Sequence, residues 1–326
     1  MPIGTLALLE GLIKYAPNKE AFAELMLLKE CTYSRMIDYD NPDFKEVLTS
    51  RGTGKGNISP IIDLEAAYRA ALNMEICAPD LSRICGIALY RESEDNPMSV
   101  RDHQTFWLGA KTNLKGYNPT APDAVLPALA DISAYFYNDQ NTDPLIKAAL
   151  VHYQFEMIHP FERYNGIVGR IIVPMMLSDI AREAKLLICL SEYLYHNKNE
   201  YFDLLRSTQY SGGYIRWIKF FVNAVGEVAK KSAKLMTQYE RIIALDEHRL
   251  TEIGKSTKSI FEIYNYLKDT PITTITVAER NLGFSFNTVS KLFHSLQGYG
   301  IVECHLPSYR NRVFRYSELE NLICAD

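Results

Sequence analysis

The sequence has no CxxC pair among its six cysteines, no excess of charge of either sign, and no apolar run long enough to cross a bilayer. Each lack removes a class of function. Cys31, Cys77, Cys85, Cys189, Cys304 and Cys324 lie mostly among apolar neighbours, which argues for reduced core thiols rather than zinc ligands or disulfides. A formal net charge of -4 gives no general attraction to nucleic acid or to an anionic membrane. A membrane span needs about 20 apolar residues, and no run reaches that length. Leu6 to Ile13 is apolar but short, is interrupted by Glu10 and lacks a basic leader, so it does not read as a secretory signal. Nor is there a Walker loop. Ser50 to Pro60 carries three glycines without the Gly-Lys-Ser/Thr spacing and reads as a flexible linker. What is left is a cytoplasmic globular chain of 326 residues, 47% hydrophobic and 23% charged, long enough for two domains.

One stretch concentrates chemistry. Pro144 to Ile158 places Leu145, Ala148, Ala149, His152, Phe155 and Ile158 at helical spacing, and Pro160 disfavours helix at His159. His159 is therefore expected at a helix end, facing a loop. Val168 to Ala181 reads as a buried helix with Pro174 as a kink. A helix start offers amides without intrahelical partners and about half a positive charge, so it binds anions. Asn165-Gly166 can turn those amides inward, and Arg170, about one turn on, can add a charged fork. A base stands beside an anion cradle.

The segment His159-Pro160-Phe161-Glu162-Arg163-Tyr164-Asn165-Gly166-Ile167-Val168-Gly169-Arg170 resembles the signature of Fic-domain proteins. The resemblance implies His159 as the general base that activates a protein hydroxyl, ATP as the nucleotide whose AMP is transferred, and Asn165, Gly166, Gly169 and Arg170 as its phosphate-binding residues. Three positions depart from the family pattern: Arg163 replaces the metal-binding acid, Tyr164 a glycine and Ile167 an arginine. A guanidinium cannot ligate Mg²⁺, although Arg163 can neutralise phosphate directly. Tyr164 adds a ring where the backbone should approach a ligand, and Ile167 removes a bidentate donor. Mg²⁺ use is thereby in doubt, no metal ligand is assigned, and phosphoryl chemistry is expected to be weakened or altered.

Other segments extend the resemblance over roughly residues 25 to 225. Ser34-Arg35-Met36-Ile37-Asp38-Tyr39 is similar to the family's inhibitory helix, with Asp38 in place of its glutamate and Tyr39 in place of the glycine after it. That similarity implies a pair between Asp38 and Arg170. Val100 to Ala110 is similar to the segment before the target-docking flap, and Lys111 to Pro122 has the composition of that flap. Trp107 reads as a core anchor, and His103 and His152 as structural histidines. Tyr201 or Phe202 is a candidate for stacking on the nucleotide base.

Past Gly254 the pattern changes to helices at Ser259–Leu267, Thr276–Leu282 and Thr288–Gln297, then strands at Ile301–Cys304 and Arg312–Tyr316. Three helices and a β-hairpin resemble the winged-helix domains that follow Fic domains. Lys291 on the presumed recognition helix and Arg310 and Arg312 on the wing are the candidate DNA contacts. From Lys255 to Asp326, however, eight Lys plus Arg face seven Asp plus Glu, a weak electrostatic footprint.

The expected fold is mainly α: an N-terminal helical region (1–75), a Fic core (76–235), a connecting helix (236–254) and a winged-helix domain (255–326). Three functional readings stand. The first is a signalling or regulatory protein that binds nucleotide or phosphate with impaired transfer. The second is an active transferase of nucleotidyl or phosphate groups with changed metal use. The third is a winged-helix DNA-binding regulator with the Fic core as scaffold. The protein target is unidentified, DNA and homodimerisation remain open as partners, and no membrane is expected.

Overall fold

The computed structural model describes residues 2–39, 42–90, 97–105, 117–252, 258–305 and 312–325, and these are mainly helical. The first helices are α1 (Pro2–Lys14), α2 (Lys19–Asp38), α3 (Phe44–Thr53), α4 (Ser59–Ala71) and α5 (Ala78–Tyr90). Next come α6 (Pro122–Asn138), α7 (Pro144–Ile158), α8 (Asn165–Met176), α9 (Leu190–His196), α10 (Lys198–Ser211) and α11 (Tyr214–Glu252). The chain closes with α12 (Lys258–Asp269), α13 (Ile275–Leu282), α14 (Phe286–Gly298) and α15 (Ser317–Cys324), and with strands β1 (Ile272–Thr274), β2 (Glu303–His305) and β3 (Val313–Arg315). Among the described residues, no helix is long and apolar enough to cross a membrane.

The chain forms two compact units that are not contiguous in sequence. One gathers Met1–Gly11, Leu27–Asn41 and Ser59–Lys231; the other gathers Leu12–Met26, Pro42–Ile58 and Ser232–Asp326. Two pieces of the N-terminal region thus belong with the C-terminal unit, whereas the sequence pattern divides the chain into consecutive blocks. The expected connecting helix is the second half of the 39-residue α11. No Gly or Pro signal interrupts that helix apart from Gly226, which a helix tolerates at about 1 kcal/mol relative to Ala.

In the first unit α7 and α8 are buried on nearly every side, as expected of helices that are apolar all round. Asp143 starts α7 by accepting from the amides of Leu145 and Ile146, with Pro144 in the first turn. Trp217 on α11 is fully buried and donates its indole N–H to the Ala149 carbonyl at 2.7 Å. The second half of α2 is polar and yet buried, because its charges are paired. Lys29 reaches Glu192 at 2.7 Å, and Glu30 accepts from the Tyr68 hydroxyl at 2.7 Å and the Ser191 amide at 2.9 Å. Such paired burial fixes the helix register, since a one-residue slip would leave these groups unsatisfied.

In the second unit the order is α12, β1, α13, α14, β2, β3, and the antiparallel sheet has the order β1-β3-β2. Phe314 on β3 lies opposite Thr273 and Cys304, and its ring stacks on Phe293 of α14 with centroids 4.4 Å apart. Thr274 caps α13 and Ser285 caps α14. β1 was not visible in the sequence pattern, where Ile272-Thr273-Thr274 is too short to alternate. The glycine-bearing stretch read as a linker is helical up to Thr53. A capping box between Asp43 and Glu46 starts α3, and Gly52 lies where a Cβ would stand 1.5 Å from the Ile272 carbonyl oxygen. That glycine is a point of close packing rather than a hinge.

Candidate functional site

The loop between α7 and α8 is held open by its own side chains. His159 ends α7 in the left-handed region, with φ 51°, and its amide donates to the Phe155 carbonyl at 3.0 Å. Asn165 closes the loop from the other side: its Oδ1 accepts from the Phe161 amide at 2.8 Å and its Nδ2 donates to the Phe161 carbonyl at 2.7 Å. Phe161 fills the core beneath, fully buried. Asn165 is therefore a staple across the loop, and its side chain is spent on backbone groups.

Arg101 braces the same loop, a role the sequence reading did not assign. Its guanidinium is buried and donates to the carbonyls of His159 (2.8 Å), His103 (2.9 Å), Ile158 (3.1 Å) and Thr120, while its amide donates to the Pro160 carbonyl at 2.9 Å. Five donors in a fixed plane suit a side chain that must satisfy several diverging carbonyls at a helix end. The only sequence signal was an arginine at the start of the flap-like segment. The His159 imidazole is half-buried, and desolvation, opposed by the Glu156 carbonyl and aided by the Arg101 charge, lowers its pKa to about 4. At neutral pH it is an uncharged base.

At the start of α8 the cradle already contains an anion. Asp38, the last residue of α2, places Oδ2 2.5 Å from a terminal nitrogen of Arg170. Arg170 is fully buried and also donates from Nε to the Ser34 hydroxyl and from a terminal nitrogen to the Ser34 carbonyl, each at 2.9 Å. Burial opposes the charge on Arg170, and the Asp38 carboxylate beside it more than restores it. Asp38 also lies against Gly166, whose missing Cβ would stand 3.2 Å from Oδ2. A carboxylate thus occupies the helix N-terminus together with its arginine.

Gly169 is set apart from this cradle. A Cβ there would stand 2.3 Å from Oε1 of Glu156 and 3.2 Å from the Phe155 ring, so the glycine is needed for close packing of α7 on α8. Glu156 is buried and its Oε1 has no hydrogen-bond partner. Burial raises its pKa to about 8, with the Arg170 charge opposing and Asp38 adding to the rise, so at pH 7 it is mostly the neutral acid.

The three departures from the signature fall in different surroundings. Ile167 is fully buried, a core residue. Arg163 is exposed, and its carbonyl accepts from the Cys85 thiol at 3.7 Å. Tyr164 precedes α8 with φ 64° and ψ 14°, the left-handed backbone that glycine adopts without a Cβ penalty. Its hydroxyl accepts from Arg35 at 2.5 Å, its ring lies 5.5 Å from that of Tyr39, and the Arg35 guanidinium lies 4.8 Å from the Tyr39 ring centre and 5.7 Å from that of Tyr164. Tyr39 and Tyr164, each at a position where the family pattern has glycine, meet each other across one arginine.

Residues 77–177 match the model of the Fic/DOC family. Residues 77–177 are a Fic domain. A protein adenylyltransferase of Caenorhabditis briggsae, fic-1, is 36% identical over 64 residues, 19% of this chain and 12% of that protein. A probable protein adenylyltransferase of Aquifex aeolicus is 27% identical over 113 residues, 35% of this chain and 31% of that protein. The matches thus span about an eighth and a third of those relatives. In fold, the chain is similar to a Fic family protein of Desulfovibrio desulfuricans with a TM-score of 0.60 at 15% identity, covering 96% of this chain and 95% of that one.

Around the Fic domain the remaining expected site residues fall as follows. Tyr201 is fully buried, its hydroxyl 3.0 Å from Nε2 of His152, whose Nδ1 lies 2.8 Å from the Gly169 carbonyl oxygen. Its ring presents no face to a nucleotide base; the aromatic signal was that of a core. Trp107, the first half of the flap-like segment (111–116) and Arg310 lie outside the described residues. Lys291 is exposed on α14, and Arg312 donates to Nε2 of His294 at 3.0 Å. Arg315 on β3 is tied to Glu320 at 2.7 Å. The donor set at the cradle does not suit Mg²⁺, a cation that prefers oxygen ligands: Arg163 stands at the acid's position and Asp38 is committed to Arg170.

Proposed function

We propose that the protein is a Fic-domain regulatory protein that binds the phosphates of ATP at the start of α8 in competition with its own Asp38, and whose transfer of AMP to a protein hydroxyl is impaired. The observation that carries this reading is the Asp38 carboxylate seated against Gly166 and Arg170. A site that holds a carboxylate by a buried guanidinium and a helix N-terminus has the charge and donors for a phosphate, which offers more acceptor oxygens. Where transfer occurs, a target O–H gives its proton to the His159 imidazole and the freed oxygen bonds to the α-phosphorus. The bond from that phosphorus to pyrophosphate breaks, and pyrophosphate leaves. Arg163 offers phosphate a direct positive charge but cannot take the place of a metal-holding acid. The second unit, with the helix and strand order of a winged helix, supplies a docking module, for which its near-neutral charge favours protein over DNA.

Calorimetry with ATP, with and without Mg²⁺, tests the reading on the wild type, Asp38→Ala and Arg163→Ala. Removing the competing carboxylate is expected to tighten ATP binding about tenfold or more, equal to about 1.4 kcal/mol, with little effect of Mg²⁺. Arg163→Ala is expected to weaken it. Absence of ATP binding to a folded Asp38→Ala variant overturns the nucleotide reading. Robust Mg²⁺-dependent incorporation of labelled AMP by the wild type overturns the impairment.

A further inference from the structure

The imidazole of His159 has two nitrogens, and only one can be the lone pair that takes a proton. The groups around the ring decide which. Nδ1 lies 3.2 Å from the hydroxyl of Tyr117, and the ring also meets the Glu156 backbone carbonyl. Tyr117 is buried, with its ring edge-on to the imidazole at 79° and centroids 6.1 Å apart. Its hydroxyl lies 3.0 Å from the same Glu156 carbonyl oxygen.

A carbonyl oxygen can only accept, and a tyrosine hydroxyl has one proton to give. Burial, with the Glu156 carboxyl nearby, pushes the Tyr117 phenol well above its ordinary pKa, so that proton stays on. With the shorter contact running to the Glu156 carbonyl, the hydroxyl proton is directed there. What Tyr117 then shows to Nδ1 is an oxygen lone pair. An acceptor faces Nδ1, and a bare nitrogen there would set a second lone pair against it in a half-buried place, at the cost of an unmade hydrogen bond.

We infer that Tyr117 is a positioning residue for His159: its hydroxyl, oriented by the Glu156 carbonyl, holds the imidazole as the Nδ1–H tautomer and so makes Nε2 the proton-accepting atom. The catalytic consequence rests on the reading of His159 as a base, but the tautomer does not. When Nε2 takes the proton of an alcohol or phenol substrate, the O–H bond breaks, its electron pair remains on oxygen, and the ring becomes an imidazolium. Its Nδ1–H still points at the Tyr117 oxygen, so the new charge is stabilised without any movement of the site. The backbone contributes the other half of the device: Arg101 anchors the His159 carbonyl, which fixes the Cα from which the ring projects.

The test is ¹⁵N NMR on protein labelled at histidine, without nucleotide, at pH 7, with the His159 signals assigned by their loss in His159→Ala. The wild type is expected to show a protonated Nδ1 and an unprotonated Nε2, and Tyr117→Phe to move the population toward the other tautomer. A wild-type His159 with its proton on Nε2 overturns the inference, even if the Tyr117→Phe protein fails to fold. A folded Tyr117→Phe protein with an unchanged tautomer removes Tyr117 from the device. Neither result depends on whether ATP binds, so failure of the nucleotide reading and failure of this inference are told apart.

Discussion

The two ends of the α7–α8 loop have been treated differently. At the His159 end the side chains support one another: the carbonyl is gripped by Arg101, the loop is stapled by Asn165, and the ring is met by Tyr117. At the α8 end, the anion position is filled by Asp38, the metal-holding acid is an arginine, and the turn glycine is a tyrosine under Arg35. On the proposed reading one end accepts a proton, and the other is closed by a group of the same charge as the ligand. The difference teaches that retention of a catalytic histidine and retention of a working phosphate site are separate matters, resting on separate sets of contacts.

The largest expected effect comes from breaking the α8 end. Arg170→Ala removes a buried guanidinium and leaves Ser34 and Asp38 without their partner, which should cost about 3–5 kcal/mol in denaturant unfolding. Hydrogen exchange in the last turns of α2 should rise with it. An unchanged unfolding midpoint would mean that the pair contributes nothing to holding α2 in place.

A second test acts beneath both ends, at His152, which is fully buried and whose pKa burial lowers to about 4, with Arg170 adding to the fall against its bond to the Gly169 carbonyl. An unfolded imidazole titrates near 6.5, so the unfolded chain takes up the proton first as pH falls. Stability tied to His152 is therefore complete above about pH 6.5 and is lost progressively toward pH 4, by about 3 kcal/mol for a shift of this size. His152→Gln should be less stable at pH 7 yet lose less between pH 7 and pH 4.5 than the wild type does. Equal losses for the two proteins would show that His152 is not held neutral.

The smallest effect sharpens the boundary of the cradle. Gly169→Ala should destabilise the protein by about 1–3 kcal/mol through overpacking against Glu156 and Phe155, and adding Glu156→Ala should recover part of the loss. Nucleotide affinity in the folded Gly169→Ala protein should be unchanged. Weakened ATP binding with unchanged stability would return Gly169 to the anion site.

Much of the first unit was legible because its signals are local. The helix periodicity and Pro160 together located His159 at a helix end, and the mainly helical fold follows from patterns that span several turns. Residues whose roles come from distant neighbours were not legible. Arg101, in the segment before the flap, and Tyr117, in the flap-like stretch, each carry an ordinary side chain, and only the folded chain brings them to His159, 58 and 42 positions away. The same physics explains the misreadings. Tyr201 and Gly169 stand in family-like stretches, but burial turns the first into a core residue and close helix packing accounts for the second. Gly52 looked like a loop residue because a glycine needed for backbone approach and one needed for a turn are written with the same letter.

The left-handed tyrosine at position 164 gives the closed end a memory. A residue with a Cβ is held in that conformation at a cost of about 1–2 kcal/mol, which the stacking and hydrogen bond of Arg35 and the Tyr39 ring help to offset. Without those contacts the backbone cost would stand uncompensated, so Tyr39→Ala is expected to loosen the turn at Tyr164. On the proposed reading, a phosphate bound there has to hold that turn as well as displace Asp38.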